Sequence, residues 1–236
     1  DDVMDPGHLA SHLAAIESMP GAGLVASATR IVDEDGGAVS DSVVERGGLG
    51  ADDRTFLAGD ALPLLASSNP LRCSAVTLGV EAHRRLGGFD PSYRYVVDWE
   101  FWLRVARGWP LVWRSRPTVA FRWHSSSETH RFKTGTKDLD ETIRLVDELF
   151  ARDGASWPEG DRLRRAADRR LARAFVNRSY DALKNGDPTL ARACLFRAVA
   201  LRPAILGTIA ADPRLAAQMA VLAVAPGVAQ HVFSKR

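Results

Sequence analysis

The sequence has few of the features that mark secreted, membrane-spanning or nucleic-acid-binding proteins. It contains only two cysteines, Cys73 and Cys194, which lie far apart in apolar surroundings. Two such residues provide neither a disulfide framework nor the ligand spacing of a zinc site. No basic and apolar leader is recognisable at the start, so we expect no secretory signal. A reducing cytoplasm is the compartment that these absences predict.

Long apolar runs and an excess of one charge are also missing. The most apolar stretch, residues 215–229, is interrupted by Pro226 and is shorter than the ~20 residues that a spanning helix needs. We interpret it as a packed helix that makes peripheral contact with the inner face of a membrane. The 31 basic and 29 acidic side chains give a net charge of +2, which disfavours nucleic acid as the main partner.

The first part of the sequence alternates between strand and helix signals. Pro117, in the middle of the last strand signal, predicts a bent or edge strand. The dipeptide Asp5-Pro6 predicts a helix with Asp5 as its N-cap, and the apolar face of that helix is expected to carry Leu9, Leu13, Ile16 and Met19. The fold class is therefore α/β with a mixed sheet, and the predicted strands are 23–32, 73–80 and 111–124, with helices within 62–70, 81–87 and 98–108 and a surface loop over 37–60.

From residue 137 onward the sequence shows only helix signals. Leu, Ala and Arg recur at helical spacing, and residues 180–203 read as a helix, a Gly-Asp-Pro turn and a second helix. This hairpin resembles one tetratricopeptide unit, but solenoids need about three such units. We therefore predict two parts, an α/β domain over 1–130 and an all-α appendage over 137–236 that packs on it.

Three groups of polar residues are candidates for chemistry. Adjacent carboxylates at Asp1 and Asp2 suit Mg²⁺ or Mn²⁺, although a solvated surface pair is the commoner reading. Asp98, before an aromatic-rich helix, is either an N-cap or a partly desolvated general base, and the two roles are compatible. Arg122 and His124 alternate on a strand, so both could reach a phosphate or metal, or both could be exposed polar residues.

Taken in order, these motifs resemble those of the inverting glycosyltransferases of family 2, which have the GT-A fold. The matching stretches are DDVMDP, DEDGG, LGGFDP, VVDWEFWLR and FRWH, which together cover about residues 1–130. The resemblance implies that Asp98 is the catalytic base that deprotonates an acceptor hydroxyl. It also implies that Asp1 and Asp2 hold the metal and the nucleotide-sugar diphosphate, with His124 as a further metal ligand, and that the other substrate-binding residues are Arg122, Trp99, Glu100 and Asp90.

Two departures from that family qualify the resemblance. Val97 stands where many members have a second acidic residue. The Rossmann-like N-terminal half, which grips the nucleotide in the family, is not recognised, so we expect the chain to be a C-terminal fragment that begins at the acidic motif and is inactive alone. The expected cofactor is Mg²⁺ or Mn²⁺, and the expected partners are a nucleotide sugar and a glycan, lipid-linked or protein acceptor in bacterial polysaccharide biosynthesis.

Two other functions compete with sugar transfer. The helical part could make the chain a non-catalytic interaction module whose α/β part is a relic. A metal-dependent hydrolase or nuclease could instead use Asp1, Asp2, Asp98 and His124, but the sequence has no compact ligand motif of the kind such enzymes carry.

Overall fold

A computed structural model describes residues 1–39, 44–45, 48–124 and 135–224 of the chain. The chain divides into two compact units, Asp1–Arg131 and Phe132–Arg236. The first unit combines a mixed sheet with helices, and the described residues of the second are helical. The α/β class expected for the first part is therefore confirmed, whereas the GT-A assignment stays a prediction.

The sheet of the first unit is organised around two long parallel strands. Within the described residues its six strands are β1 (Val3–Met4), β2 (Leu24–Val32), β3 (Val44–Glu45), β4 (Arg54–Phe56), β5 (Val76–Leu78) and β6 (Leu111–Arg122). The two long parallel strands are β2 and β6, and each has further antiparallel strands on its outer side. Strand β4 pairs with the first part of β6 and β1 with the second part, while β5 pairs with the first part of β2 and β3 with the second.

The position of β6 corrects the prediction of an edge strand. It is bent, as Pro117 suggested, but it lies in the middle of the sheet with partners on both sides. Its register against β2 shifts between Ser27↔Arg114 and Thr29↔Val119. Pro117 falls inside this irregularity, where its missing N–H removes no ladder hydrogen bond.

Helix α1 (His8–Ser18) packs on the sheet through a face that the sequence did not predict. Its buried residues are His8, His12 and Ala15, whereas Leu9 and Leu13 are 66% and 58% exposed. The two imidazoles can be buried because each shares a hydrogen bond with a strand hydroxyl. These bonds are His8 Nδ1 with Thr118 Oγ1 at 2.8 Å and His12 Nδ1 with Thr77 Oγ1 at 2.7 Å.

Asp5 does not cap helix α1. The N-cap position is Gly7, and no side chain caps the helix. The Asp5 carboxylate instead accepts two hydrogen bonds from the Arg30 guanidinium, at 2.9 and 2.7 Å. The hydrogen bond from Arg30 is the main cause that lowers the pKa of Asp5. The predicted cap is therefore wrong, because a strand arginine competes successfully for the carboxylate.

The part of the first unit that the structure describes has three further α-helices: α2 (Leu62–Leu65), α3 (Val80–Leu86) and α4 (Val97–Gly108). Helix α4 supplies much of the core, since Phe101, Trp102 and Val105 are buried. The turn that precedes it contains Gly87 and Gly88 at φ of 79° and 82°, a left-handed conformation that residues with a Cβ rarely adopt.

The second unit contains five helices within the described residues. Their core is built from aliphatic side chains together with Phe175 and Cys194. The predicted hairpin is present, with Asp187 capping its second helix through a 2.9 Å bond from the Leu190 N–H. The helices are α5 (Lys137–Asp153), α6 (Gly160–Lys184), α7 (Pro188–Leu201), α8 (Ile205–Ala210) and α9 (Pro213–Val224). Over the described ranges, no helix has the length and apolar character needed to cross a membrane.

Candidate functional site

The acidic pair at the start of the chain lies beside the carboxyl-terminal end of β6. Because β1 pairs with β6 at Val3↔Ala120, Asp2 comes next to the end of that strand. The Arg122 backbone N–H donates to Asp2 Oδ1 at 2.9 Å. His124 Nε2 contacts the Asp1 carboxylate. The sequence-predicted metal ligands Asp1, Asp2 and His124 are therefore brought together by strand pairing.

The Arg122 side chain is held by backbone carbonyls. Its Nε donates to the Asp1 carbonyl at 3.1 Å, and its Nη1 donates to the carbonyls of Asp33 and Glu34 at 3.2 and 2.5 Å. The guanidinium thus ties the turn after β2 to the acidic pair and keeps a fixed positive charge beside it. A role for Arg122 in binding a diphosphate stays a prediction.

Asp98 lies in the first turn of α4 and is half-buried. The helix N-cap is Val96, so the predicted capping role is wrong. Asp98 Oδ1 accepts the Trp99 N–H at 2.6 Å, and Oδ2 accepts Asn69 Nδ2 at 3.1 Å. Burial raises the pKa of the Asp98 carboxyl, while these hydrogen bonds and the charge of Arg72 act against that rise. A carboxylate with a raised pKa is a stronger proton acceptor than an exposed one.

Cys73 connects the acidic pair with Asp98. Burial raises the pKa of the Cys73 thiol, and the negative charges of Asp98 and Asp2 raise it further. Electrostatic effects of this kind fall off with distance, so the thiol lies within range of both carboxylates. Arg72, which precedes Cys73, lies 4.4 Å above the ring of Phe121 at the end of β6. The segment 69–72 therefore contacts Asp98 through Asn69 and contacts the end of β6, where Asp2 is bound, through Arg72.

No protein-family model matches this chain, and no curated protein matches it either.

The other residues predicted to bind substrate make packing or turn contacts. Trp99 is buried, and its indole N–H donates to the Leu65 carbonyl at 2.9 Å. Glu100 binds the guanidinium of Arg104 at 2.6 and 2.8 Å. Asp90 Oδ1 accepts the Ser92 N–H at 2.8 Å. These contacts explain why the residues are needed for the fold, and a substrate role for them stays a prediction.

The Arg104 side chain, which pairs with Glu100, connects α4 to the turn that contains Gly87 and Gly88. Besides Glu100, its guanidinium donates to the carbonyls of Leu86 and Gly88, at 2.9 and 2.6 Å. It therefore fastens the left-handed glycine turn to α4, and the ring contact between Phe89 and Phe101 joins the same two elements. The Arg in the motif VVDWEFWLR thus has a structural explanation.

A divalent cation is compatible with the acidic pair, although the described residues contain no cluster of three or more metal-ligating side chains. Mg²⁺ commonly binds through one or two carboxylates and completes its shell with substrate phosphates and water. Asp2 uses Oδ1 for the Arg122 N–H, and its second oxygen remains available for such a bond. Asp1 and Asp2 are the residues that would hold the ion.

Asn69 and Cys73 are site residues that sequence reasoning did not single out. The sequence predicts only that Asn69, before Pro70, closes a short helix or turn. The dipeptide Asn69-Pro70 does indicate a turn, because an Asn side chain at such a position hydrogen-bonds to the backbone two residues further on. Nothing in the sequence alone indicated that this turn would face Asp98.

Proposed function

We propose that the first unit belongs to an inverting glycosyltransferase and supplies its catalytic base and diphosphate-side carboxylates. The observation that carries the proposal is that one short segment links the two acidic positions, because Asn69 binds Asp98 and Arg72 lies over Phe121 at the end of β6, where Asp2 is bound. An enzyme of this class needs carboxylates that can hold a divalent cation at the leaving diphosphate, and a separate carboxylate that accepts the proton of the acceptor hydroxyl. The order of motifs, which resembles family 2 with its GT-A fold, supports the same assignment.

In this proposal each polar residue has a separate task. Asp98 accepts the proton of the acceptor hydroxyl as that oxygen attacks the anomeric carbon of the donor sugar, which inverts its configuration. Arg122, fixed by three carbonyls, places a preorganised positive charge near the departing diphosphate. A Mg²⁺ or Mn²⁺ ion bound at Asp1 and Asp2 would supply Lewis-acid stabilisation of that diphosphate. His124 orients the Asp1 carboxylate.

The test of this proposal is the Asp98→Asn variant. The assay measures release of nucleoside diphosphate from a panel of nucleotide sugars, with Mg²⁺ or Mn²⁺ present. It uses the protein together with any residues that precede Asp1 in its natural chain. We expect turnover to fall by about a hundredfold or more, with nucleotide-sugar affinity nearly unchanged. The exposed Asp52 is the matched control, and Asp52→Asn should retain full turnover. Undiminished turnover in Asp98→Asn would refute the proposed role.

A second candidate function concerns the helical unit alone. An open cleft of about 510 Å³ lies between α6 and α9. Gln218, only 6% exposed, lines it, and no hydrogen-bond partner for its amide is found within the described ranges. The cleft is lined by Val176, Asn177, Tyr180, Asp181, Asp212, Leu215 and Gln218. We propose that, if the chain is an interaction module, a partner side chain pairs with this amide, and Gln218→Leu should then abolish partner capture without unfolding the unit.

A further inference from the structure

We propose that Asn69 is a positioning residue that fixes the orientation of the Asp98 carboxylate. This inference rests on the function proposed above, in which Asp98 is the base. It concerns a residue that does not touch the reacting atoms and acts only through Asp98.

The orientation of the Asn69 amide is determined by its own turn. Asn69 Oδ1 accepts the Leu71 N–H at 3.0 Å, across Pro70, whose ring restricts the backbone between them. With the oxygen so engaged, the amide nitrogen faces the other way and donates to Asp98 Oδ2 at 3.1 Å. The short turn therefore presents a donor, and not an acceptor, to the carboxylate.

The Asp98 carboxylate is held at both oxygens. Oδ1 accepts the Trp99 N–H at 2.6 Å, and Oδ2 accepts Asn69. The indole of Trp99 is itself anchored to the Leu65 carbonyl at 2.9 Å, at the end of the helix that leads into the Asn69 turn. The first turn of α4 and the Asn69 turn are thus linked twice. Loss of the Asn69 donor would free Oδ2 and allow the carboxylate to rotate.

The same hydrogen bond also affects the pKa of Asp98, together with the Trp99 N–H and the charge of Arg72. Burial raises the pKa of Asp98, and the bond from Asn69 is among the contacts that lower it. A hydrogen bond favours the charged form of the group that accepts it. Removal of the donor should therefore raise the pKa of Asp98 further. A purely structural role of Asn69 would alter stability without moving this value.

The experiment follows the titration of the Asp98 carboxyl carbon by NMR in the whole chain, with the signal assigned by its loss in Asp98→Asn. In Asn69→Ser the hydroxyl can still accept the Leu71 N–H but is too short to donate to Asp98. We expect the titration midpoint of Asp98 in this variant to rise by about one pH unit, as for the loss of one hydrogen bond to a charged group. Ser68→Ala, in the neighbouring residue, should leave the midpoint in place.

An unchanged midpoint in folded Asn69→Ser would overturn the inference. If that variant does not fold, Asn69→Ala provides the same measurement with the same expectation. The titration requires no turnover, so its failure leaves the proposed function standing. Conversely, full turnover of Asp98→Asn would refute the proposed function while leaving the titration result intact. In active protein, the acid limb of the rate profile of Asn69→Ser should move upward with the midpoint.

From a separate observation we infer that the exposed arginines of α6 form a surface that binds membranes containing anionic phospholipid. Four of them have no carboxylate partner within the described residues. By contrast, Arg162 pairs with Glu159, and Arg164 pairs with Asp147 and Asp168. The unpaired residues, here called the arginine face, are Arg165, Arg169, Arg170 and Arg173.

The arginine face is a straight row on a rigid helix. Arg165, Arg169 and Arg173 are four residues apart, so they lie along one side of α6 over about 12 Å. The opposite side of the helix is buried through Leu171 and Phe175. The core contacts therefore fix the position of α6. Its arginine face can contact a membrane surface without insertion of the helix into the lipid.

The shape and composition of the arginine face suit a planar anionic surface. The net charge of the chain is only +2, so the row is a local concentration of charge. It has no aromatic side chain interleaved with the arginines, since Phe175 is buried, and binding to single-stranded nucleic acid depends on such stacking groups. A flat row of one sign instead matches the headgroups of anionic lipids, which attract clustered Arg and Lys residues.

The test is co-sedimentation of the full chain with vesicles. We expect binding to vesicles of equal parts phosphatidylglycerol and phosphatidylcholine, none to phosphatidylcholine alone, and release at high salt. The triple variant Arg165→Gln, Arg169→Gln, Arg173→Gln should bind about a hundredfold more weakly. A control variant with the same loss of charge, Arg84→Gln, Arg116→Gln, Arg152→Gln, should bind like the wild type. Absence of vesicle binding by the wild type would overturn the inference. An equal loss of vesicle binding in the triple variant and the control variant would overturn it as well.

Discussion

Replacing Asp138 by Asn tests how strongly a buried ion pair stabilises the helical unit. The Asp138 and Arg178 side chains are 3% and 10% exposed, and two hydrogen bonds of 3.1 and 2.6 Å join them. Arg178 also donates to the Gly135 carbonyl. The Asn side chain has the same shape but leaves the guanidinium buried without a counter-charge. Removal of one partner from such a pair costs about 3–5 kcal/mol.

The same unit contains a matched control. Asp140 pairs with Arg197 at 2.5 Å, but these side chains are 41% and 51% exposed. Because solvent screens exposed pairs, Asp140→Asn should cost less than about 1 kcal/mol. Urea unfolding followed by circular dichroism measures both variants. A cost for Asp138→Asn no larger than that for Asp140→Asn would refute the reasoning, because burial would then make no difference to the pair.

Two further predictions concern the first unit. Burial lowers the pKa of His12 from 6.5 to about 4, so folding favours the neutral ring. The contribution of His12 to the free energy of unfolding is complete above pH 6.5 and is lost as the pH falls towards 4, by about 3 kcal/mol in total. Urea unfolding between pH 7 and pH 4 should show a smaller decrease in the free energy of unfolding for His12→Gln than for the wild type. The variant His83→Gln, at an exposed histidine, should match the wild type. An equal pH dependence in all three proteins would contradict the role of His12. Trp99→Phe leaves the Leu65 carbonyl without its 2.9 Å donor and should cost about 1–3 kcal/mol in thermal or urea unfolding; an unchanged midpoint would contradict the anchoring role of the indole.

The elements with strong periodicity were predictable from sequence. Strand β2 and the two helices of the hairpin, α6 and α7, are present where the patterns placed them, because their apolar residues repeat at the spacing of the element. The short helix α8 was not predicted. The two-residue strand β1 was missed, since Val3 and Met4 carry no pattern by themselves. It forms because β6 offers a free edge at Val119 and Ala120.

The errors arose where tertiary partners outweigh local preference. Leu9 and Leu13 predicted the buried face of α1, but His8 and His12 occupy it because hydroxyls of Thr118 and Thr77 satisfy their rings. Such hydroxyls come from strands distant in sequence and cannot be inferred from the helix itself. The same is true of Asp5, whose carboxylate binds Arg30 instead of a helix terminus.

The sequence identified the acidic residues and the histidine of the candidate site, but not the residues that contact Asp98. Asp1, Asp2 and His124 were singled out by type and order, and strand pairing brings them together. Asn69 lies in an irregular turn, so its contact with Asp98 follows only from the path of the chain. Cys73 begins a 3₁₀ turn where the sequence predicted a strand. Trp99 and Glu100 matched a motif, yet their contacts are with the fold.

The parallel pairing of β2 with β6 has a consequence for how the chain acquires its structure. Residues 24–32 and 111–122 form adjacent strands, with most of the first unit lying between them in sequence. During synthesis, β2 leaves the ribosome long before its main neighbour exists, and only short local pairings with β3 and β5 can protect it meanwhile. Non-local contacts of this kind slow folding, so we expect β2 to be the segment that most needs shielding from aggregation in the nascent chain.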